Sequence, residues 1–303
     1  RQRQMCIRDR NMRNLEKLAE EVKAAMEEMS GKKVKIYHGL NRNGKSMTGL
    51  TVHDSSVNIS PVVYLDPEKD FDVPAVVLAK QFLEVIEANM PKADFDTSQF
   101  TDFEKAKERI IMTLINREHN KDLLEKVPYI DITGDLVVIF KYNVMSKPGQ
   151  AANIVIRNEH AEKWGVSPEA LYSIAETNTA RLFPPEVIKL ASFVSERLDA
   201  PVADVGYYIL TNKQHLAGAT TLAYPLLMKR LCRAYQCKKL LILPSSVDEL
   251  LIYPAKDEED LDGMAKESLN MVHEVSATLD PKDFLSDSVY VYDSQLDNYT
   301  VCK

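Results

Sequence analysis

The stretch Gly39-Leu40-Asn41-Arg42-Asn43-Gly44-Lys45-Ser46 has two readings, and they lead to different folds. Letter for letter it satisfies G-x-x-x-x-G-K-[ST], the loop that cradles nucleotide phosphates. Such a loop needs a strand before it and a helix after it. The helix N-terminus and the loop N–H groups hold the phosphates, Lys meets their charge and Ser holds Mg²⁺. A strand does precede it, at Val34 to Tyr37. The next residues, Met47-Thr48-Gly49-Leu50-Thr51-Val52, alternate and carry β-formers and a glycine, which predicts a second strand. Asn43-Gly44 is a strong hairpin turn, since both residues tolerate positive φ. Val62-Val63-Tyr64-Leu65-Asp66 imitates a Mg²⁺-binding strand but leaves no room before it for a crossover helix. The stretch reads as a β-hairpin, and a phosphate-loop NTPase is rejected.

Outward from this hairpin the pattern stays mixed. Upstream, Met12 to Ser30 is helical, with Leu15, Leu18, Val22, Ala25, Met26 and Met29 on one stripe and Gly31 at the C-terminal cap. Downstream, Asp72 and Pro74 open a helix bearing Leu78, Phe82, Val85 and Ile86. Thr101 and Glu104 form a T-x-x-E capping box, which predicts a third helix with Phe103, Ala106, Ile110 and Leu114 as its stripe. Strands are expected at Leu136 to Tyr142, Asn153 to Arg157 and Tyr207 to Leu210, and helices at Ser167 to Leu182, Thr220 to Tyr235 and Glu258 to Ser276. Leu240 to Leu243 and Leu250 to Tyr253 are continuous apolar runs, as in strands buried on both faces near the middle of a sheet. Val289 to Tyr292 and Tyr299 to Val301 form a last hairpin. A β-hairpin with a helix after it thus recurs near 34–89, 129–182 and 240–276. The fold class is α+β, with mixed or antiparallel sheets built from these units and helices packed on them.

The 303 residues are 45% hydrophobic and 27% charged, a globular composition. No apolar run has the length to cross a bilayer and no secretory signal opens the chain, so a cytoplasmic protein is expected. Four cysteines in a chain this long do not suggest a disulfide framework. Arg1 to Arg10, RQRQMCIRDR, has no periodicity or cap, and it resembles the translation of sequencing-adapter DNA. Residues 1–11 are set aside as a scar. Their removal takes away four arginines and one aspartate and moves the formal charge from −7 to −10, a poor basis for binding nucleic acid. The remainder divides at the polar stretch before Val127, into 12–126 and 127–303, or forms one continuous domain.

From about Met12 to Val301 the chain resembles a bacterial domain-of-unknown-function family of gut Firmicutes. Among the matching pieces are Asn43-Gly44 with Thr48-Gly49-Leu50, Leu114-Ile115-Asn116 with Asn120, and Trp164-Gly165-Val166 with Asn178-Thr179. Others are Leu210-Thr211-Asn212 with Gly218-Ala219, Leu243-Pro244-Ser245-Ser246 with Glu249, and Leu285-Ser286-Asp287 with Tyr290 and Tyr292. They keep their order across nearly the whole chain. The family carries no known activity, cofactor or catalytic residue, so the resemblance implies none here.

The remaining motifs point only weakly to chemistry. The six histidines are scattered, without H-x-H or H-E-x-x-H. Cys232 and Cys237, taken as residues of one helix, lie about 140° apart around its axis and cannot easily share a zinc. No metal or cofactor is expected. The basic cluster Lys229, Arg230, Arg233, Lys238 and Lys239 around Tyr235 reads as a solvated helix end. Ser245 or Ser246, with Glu249 nearby and His215 as a conceivable base, would suit a serine hydrolase. No G-x-S-x-G elbow is present, however, and the chain after the serines returns as a strand. Asn178 falls on the apolar stripe of its helix and must find partners, either as a clamp on a neighbouring segment or as an anchor in a pocket. The expected functional surface gathers Asn212, Ser245, Ser246 and Glu249 at the ends of central strands, with Asn178 as a further candidate. The expected activity is binding or regulation without catalysis, and hydrolysis through the serine loop is the alternative. The partner is a protein or small molecule of unknown identity.

Overall fold

A computed structural model describes residues 2–40, 43, 46–55, 57–58, 60–67, 69–90, 96–147, 150–244, 246–256, 261–276 and 278–302. The chain divides into two compact units, residues 1–41 with 45–97 and residues 42–44 with 98–303.

In the first unit, α1 (Gln2–Ser30) and α2 (Ala75–Asn89) pack on an antiparallel sheet of β1 (Val34–Leu40), β2 (Ser46–Val52) and β3 (Val63–Tyr64). β1 and β2 pair from Val34↔Val52 to Leu40↔Ser46, so the chain after the glycine-rich stretch is a strand, as the hairpin reading requires. Asn43 takes a left-handed φ of 65° in the turn, while Lys45 lies outside the described residues. Val22 and Met26 of α1 pack with Leu50 of β2 and with Leu78 and Ile86 of α2. Two stripe residues expected inside are not: Met29, in the last turn of α1, is 47% exposed, and Val85, on the flank of its stripe, is 48% exposed. The helix expected from Met12 extends back to Gln2.

The second unit holds two antiparallel sheets. α3 (Ser98–Thr101) and α4 (Phe103–Ala106) lead into β4 (Ile110–Asn116), and α5 (Lys121–Leu124) leads to β5 (Tyr129–Thr133), β6 (Leu136–Lys147) and β7 (Gln150–Val155). These strands form one sheet in the order β4-β6-β5, with β7 paired to the far half of β6. The stretch before Val127 therefore connects two strands of a single sheet. After α6 (Asn158–Trp164) and α7 (Pro168–Leu182) come β8 (Pro185–Lys189), α8 (Leu190–Leu198), β9 (Tyr208–Asn212), a 3₁₀ segment Gly218–Ala223 and α9 (Leu227–Ala234). The remaining elements are β10 (Lys239–Leu243), β11 (Leu250–Ala255), α10 (Leu261–Ser276), β12 (Val289–Asp293) and β13 (Asn298–Cys302). The second sheet has the order β13-β12-β10-β11-β9-β8.

β10 lies inside this sheet and is buried on both faces, as its apolar run predicts. Leu240 and Ile242 belong to a large core shared with Met112 and Leu114 of β4 and with Val138 and Phe140 of β6. Leu241 and Leu243, on the opposite face, pack with Ala265 and Val272 of α10.

The third expected helix is corrected by the structure. Asp102, not Thr101, caps α4 by accepting from the Glu104 N–H, and the helix ends at Ala106. Ile110 and Leu114 belong to β4, because Ile110-Ile111-Met112-Thr113-Leu114-Ile115 is apolar on both sides and rich in β-branched residues. Cys237 likewise lies beyond the end of α9, so the 140° separation from Cys232 does not apply. β5 and β8 complete the sheets where no separate strand was expected, and Thr220 to Ala223 is 3₁₀, not α.

β4 is an outer strand of its sheet, yet all seven of its residues are buried. Its outward backbone groups would be orphaned without partners, and side chains supply them. The Met112 N–H donates to Thr179 Oγ1 at 2.9 Å and the Leu114 N–H to Thr220 Oγ1 at 3.1 Å. Asn178 Nδ2 donates to the carbonyls of Lys107 and Ile110 at 2.7 and 3.0 Å, and Asn120 Nδ2 donates to that of Asn116 at 2.7 Å. At the far end of β4, the Asp135 carboxylate in the turn between β5 and β6 accepts from Asn116 Nδ2, Ser286 Oγ and the Tyr290 hydroxyl, tying β4 and this turn to β12.

Thr220→Val keeps the side-chain shape but removes the acceptor for the Leu114 N–H. It should cost about 1–3 kcal/mol in urea unfolding. Thr220→Ser keeps the acceptor and should lose only a methyl's worth, about 0.8 kcal/mol. A valine variant as stable as the serine variant would contradict this role.

Candidate functional site

β9 pairs with β11 through Leu250↔Leu210, which brings the end of β9 beside the loop between β10 and β11. Asn212 closes β9. Its Oδ1 accepts from the N–H groups of Gln214 and Leu216 at 3.1 and 3.4 Å, and its Nδ2 donates to the Leu216 carbonyl at 2.8 Å. The loop then turns through two left-handed non-glycine residues, His215 (φ 52°) and Ala217 (φ 49°). Gly218 comes so close to its neighbours that a Cβ would stand 2.1 Å from Thr211 Oγ1 and 2.2 Å from the Asp248 carbonyl. Only glycine fits there.

The facing loop is laced to this one. Thr211 Oγ1 donates to the Asp248 carbonyl at 2.7 Å, and the Ala217 N–H donates to Asp248 Oδ1 at 2.6 Å. Ser246 Oγ accepts from the Asp248 N–H at 3.1 Å, and the Ser246 N–H donates to the Glu249 carbonyl at 3.3 Å. Asn212 and the loop of Ser246 and Glu249 therefore lie at one sheet end, joined through Thr211, Ala217 and Asp248; Ser245 lies outside the described residues. His215 Nε2 faces a Glu186 carboxylate oxygen on β8 at 3.4 Å, and its side chain is 62% exposed. Asn178 sits apart, on α7 at the β4 edge, with its amide nitrogen held by two backbone carbonyls.

A pocket of about 130 Å³ opens beside this sheet end. Ile111 and Thr113 of β4, Asn212, Ala217 and the two clamping threonines, Thr179 and Thr220, contribute to its wall. Tyr224 also lines it; burial pushes its phenol up, and its hydroxyl donates to the Phe183 carbonyl at 2.8 Å. Lys141, the strand partner of Ile111, brings an ammonium-bearing side chain to a wall otherwise made of neutral polar and apolar groups. Among the described residues no group of three or more His, Cys, Asp or Glu side chains could hold a metal ion. No helix among them is long and apolar enough to cross a membrane.

Sequence reasoning missed Lys141, Thr179 and Thr220. The signal for Thr179 was its place beside Asn178 on a helix stripe. Thr220 lay in the Gly218-Ala219-Thr220-Thr221 run, where small residues mark close packing. Lys141 sits within an apolar strand and gave no signal beyond its charge.

Residues 13–294 match the model of a family of unknown function, DUF5688, and the chain belongs to that family. No curated protein and no solved structure matches it.

The left-handed conformation of Ala217 costs about 1–2 kcal/mol that glycine would not incur. Glycine's extra freedom in the unfolded chain returns about 0.4–1 kcal/mol of that. Ala217→Gly should therefore raise the melting temperature slightly. A clear fall would show that this backbone strain is absent.

Proposed function

We propose that this chain is a cytoplasmic bacterial binding protein without catalytic activity, and that the pocket beside Asn212 takes a small carboxylate. The observation that carries this reading is Lys141 on the wall of a pocket whose Asn212, Thr179, Thr220 and Tyr224 are already held by protein hydrogen bonds. Groups fixed in this way lose little further freedom on binding. A volume of about 130 Å³ suits a ligand of a few heavy atoms. Nucleotide-sized ligands occupy pockets of roughly 300–1,000 Å³. The Ser246 hydroxyl oxygen accepts from the Asp248 N–H of its own loop, which supports a structural turn over a serine nucleophile. In the same reading residues 1–11 are a translated adapter scar with no part in binding.

Methyl NMR tests the proposal. Titration with acetate and propionate should shift the methyl resonances of Ile111, Met112 and Leu216, and Lys141→Met should abolish the shifts while leaving the fold intact. Absence of shifts, or shifts that persist in Lys141→Met, would overturn it.

A further inference from the structure

α9 ends by folding the chain back on itself. The Tyr235 N–H donates to the Leu231 carbonyl at 2.9 Å, Gln236 takes a left-handed φ of 54°, and the Cys237 N–H returns to the Cys232 carbonyl at 2.9 Å. This six-to-one closure is the Schellman arrangement, which sets the side chains at its two ends against each other.

The two thiols differ in access. Cys232 is 1% exposed in the main core, whereas Cys237 packs against the same core and is partly exposed. Burial pushes the Cys232 thiol up, while hydrogen bonds with the Cys237 and Ser294 side chains pull it down, so both groups lie within reach of its sulfur.

We propose that Cys232 and Cys237 form a reversible intramolecular disulfide, with Cys237 as the thiol that meets the oxidant. The oxidant is a low-molecular-weight disulfide such as glutathione disulfide. The Cys237 thiolate attacks one of its sulfurs, forming a mixed disulfide and releasing one glutathione thiolate. Cys232 gives its proton to solvent, attacks the Cys237 sulfur and releases the second glutathione. Two protein thiols are oxidised, and one glutathione disulfide is reduced to two thiols. In a reducing compartment the pair rests open and closes under oxidative load. This inference stands independently of the carboxylate pocket.

Trypsin cuts after Arg233, between the two cysteines, which makes the test direct. The folded full-length chain is equilibrated with glutathione disulfide, its free thiols are alkylated, and it is then digested. Peptides Leu231–Arg233 and Ala234–Lys238 should appear as one linked species that separates on reduction. Cys232→Ser should trap Cys237 as a glutathione adduct about tenfold or more above the unmodified chain, because the resolving thiol is gone. Two separately alkylated peptides, or a stable Cys237 adduct in the unmodified chain, would overturn the proposal.

Discussion

The second unit depends on a sheet edge that is buried without a neighbouring strand. β4 ends its sheet, yet its residues are buried, so the backbone groups that point away from β6 need partners from the protein. An unpaired buried backbone group costs about 1–3 kcal/mol. Thr179, Thr220, Asn178 and Asn120 fill the positions a further strand would fill. The arrangement also protects the edge from pairing with another chain, a hazard that free edges carry.

The same clamps shape the candidate site. Thr179 arrives on α7 and Thr220 on the buried 3₁₀ segment, and both residues also line the pocket beside Asn212. The 3₁₀ segment can reach β4 only because the chain reverses after Asn212 through His215 and Ala217 and passes Thr211 and Asp248 at Gly218. The Thr220 clamp on the edge and part of the pocket wall therefore share one loop conformation.

Much of this architecture was legible in the sequence where local chemistry and tertiary packing agree. Asn43-Gly44 and the alternation after it marked the hairpin, and the run Leu240 to Leu243 marked a strand buried on both faces. The demand that Asn178 find partners was likewise readable, though not which carbonyls would meet it. Reading failed at Ile110 and Leu114, where helical spacing from Phe103 competed with a β-rich run and the run prevailed. The site was legible only in part. Asn212, Ser246 and Glu249 could be placed at one sheet end from strand order, but Lys141, Thr179 and Thr220 converge through contacts distant in sequence.

Native-state amide hydrogen exchange tests the closed edge most directly. Met112 and Leu114 should exchange slowly, like the interior amides of β6, and Thr220→Val should accelerate Leu114 while leaving Phe140 unchanged. Exchange of Met112 and Leu114 at the rates of a solvent-exposed sheet edge would contradict the account.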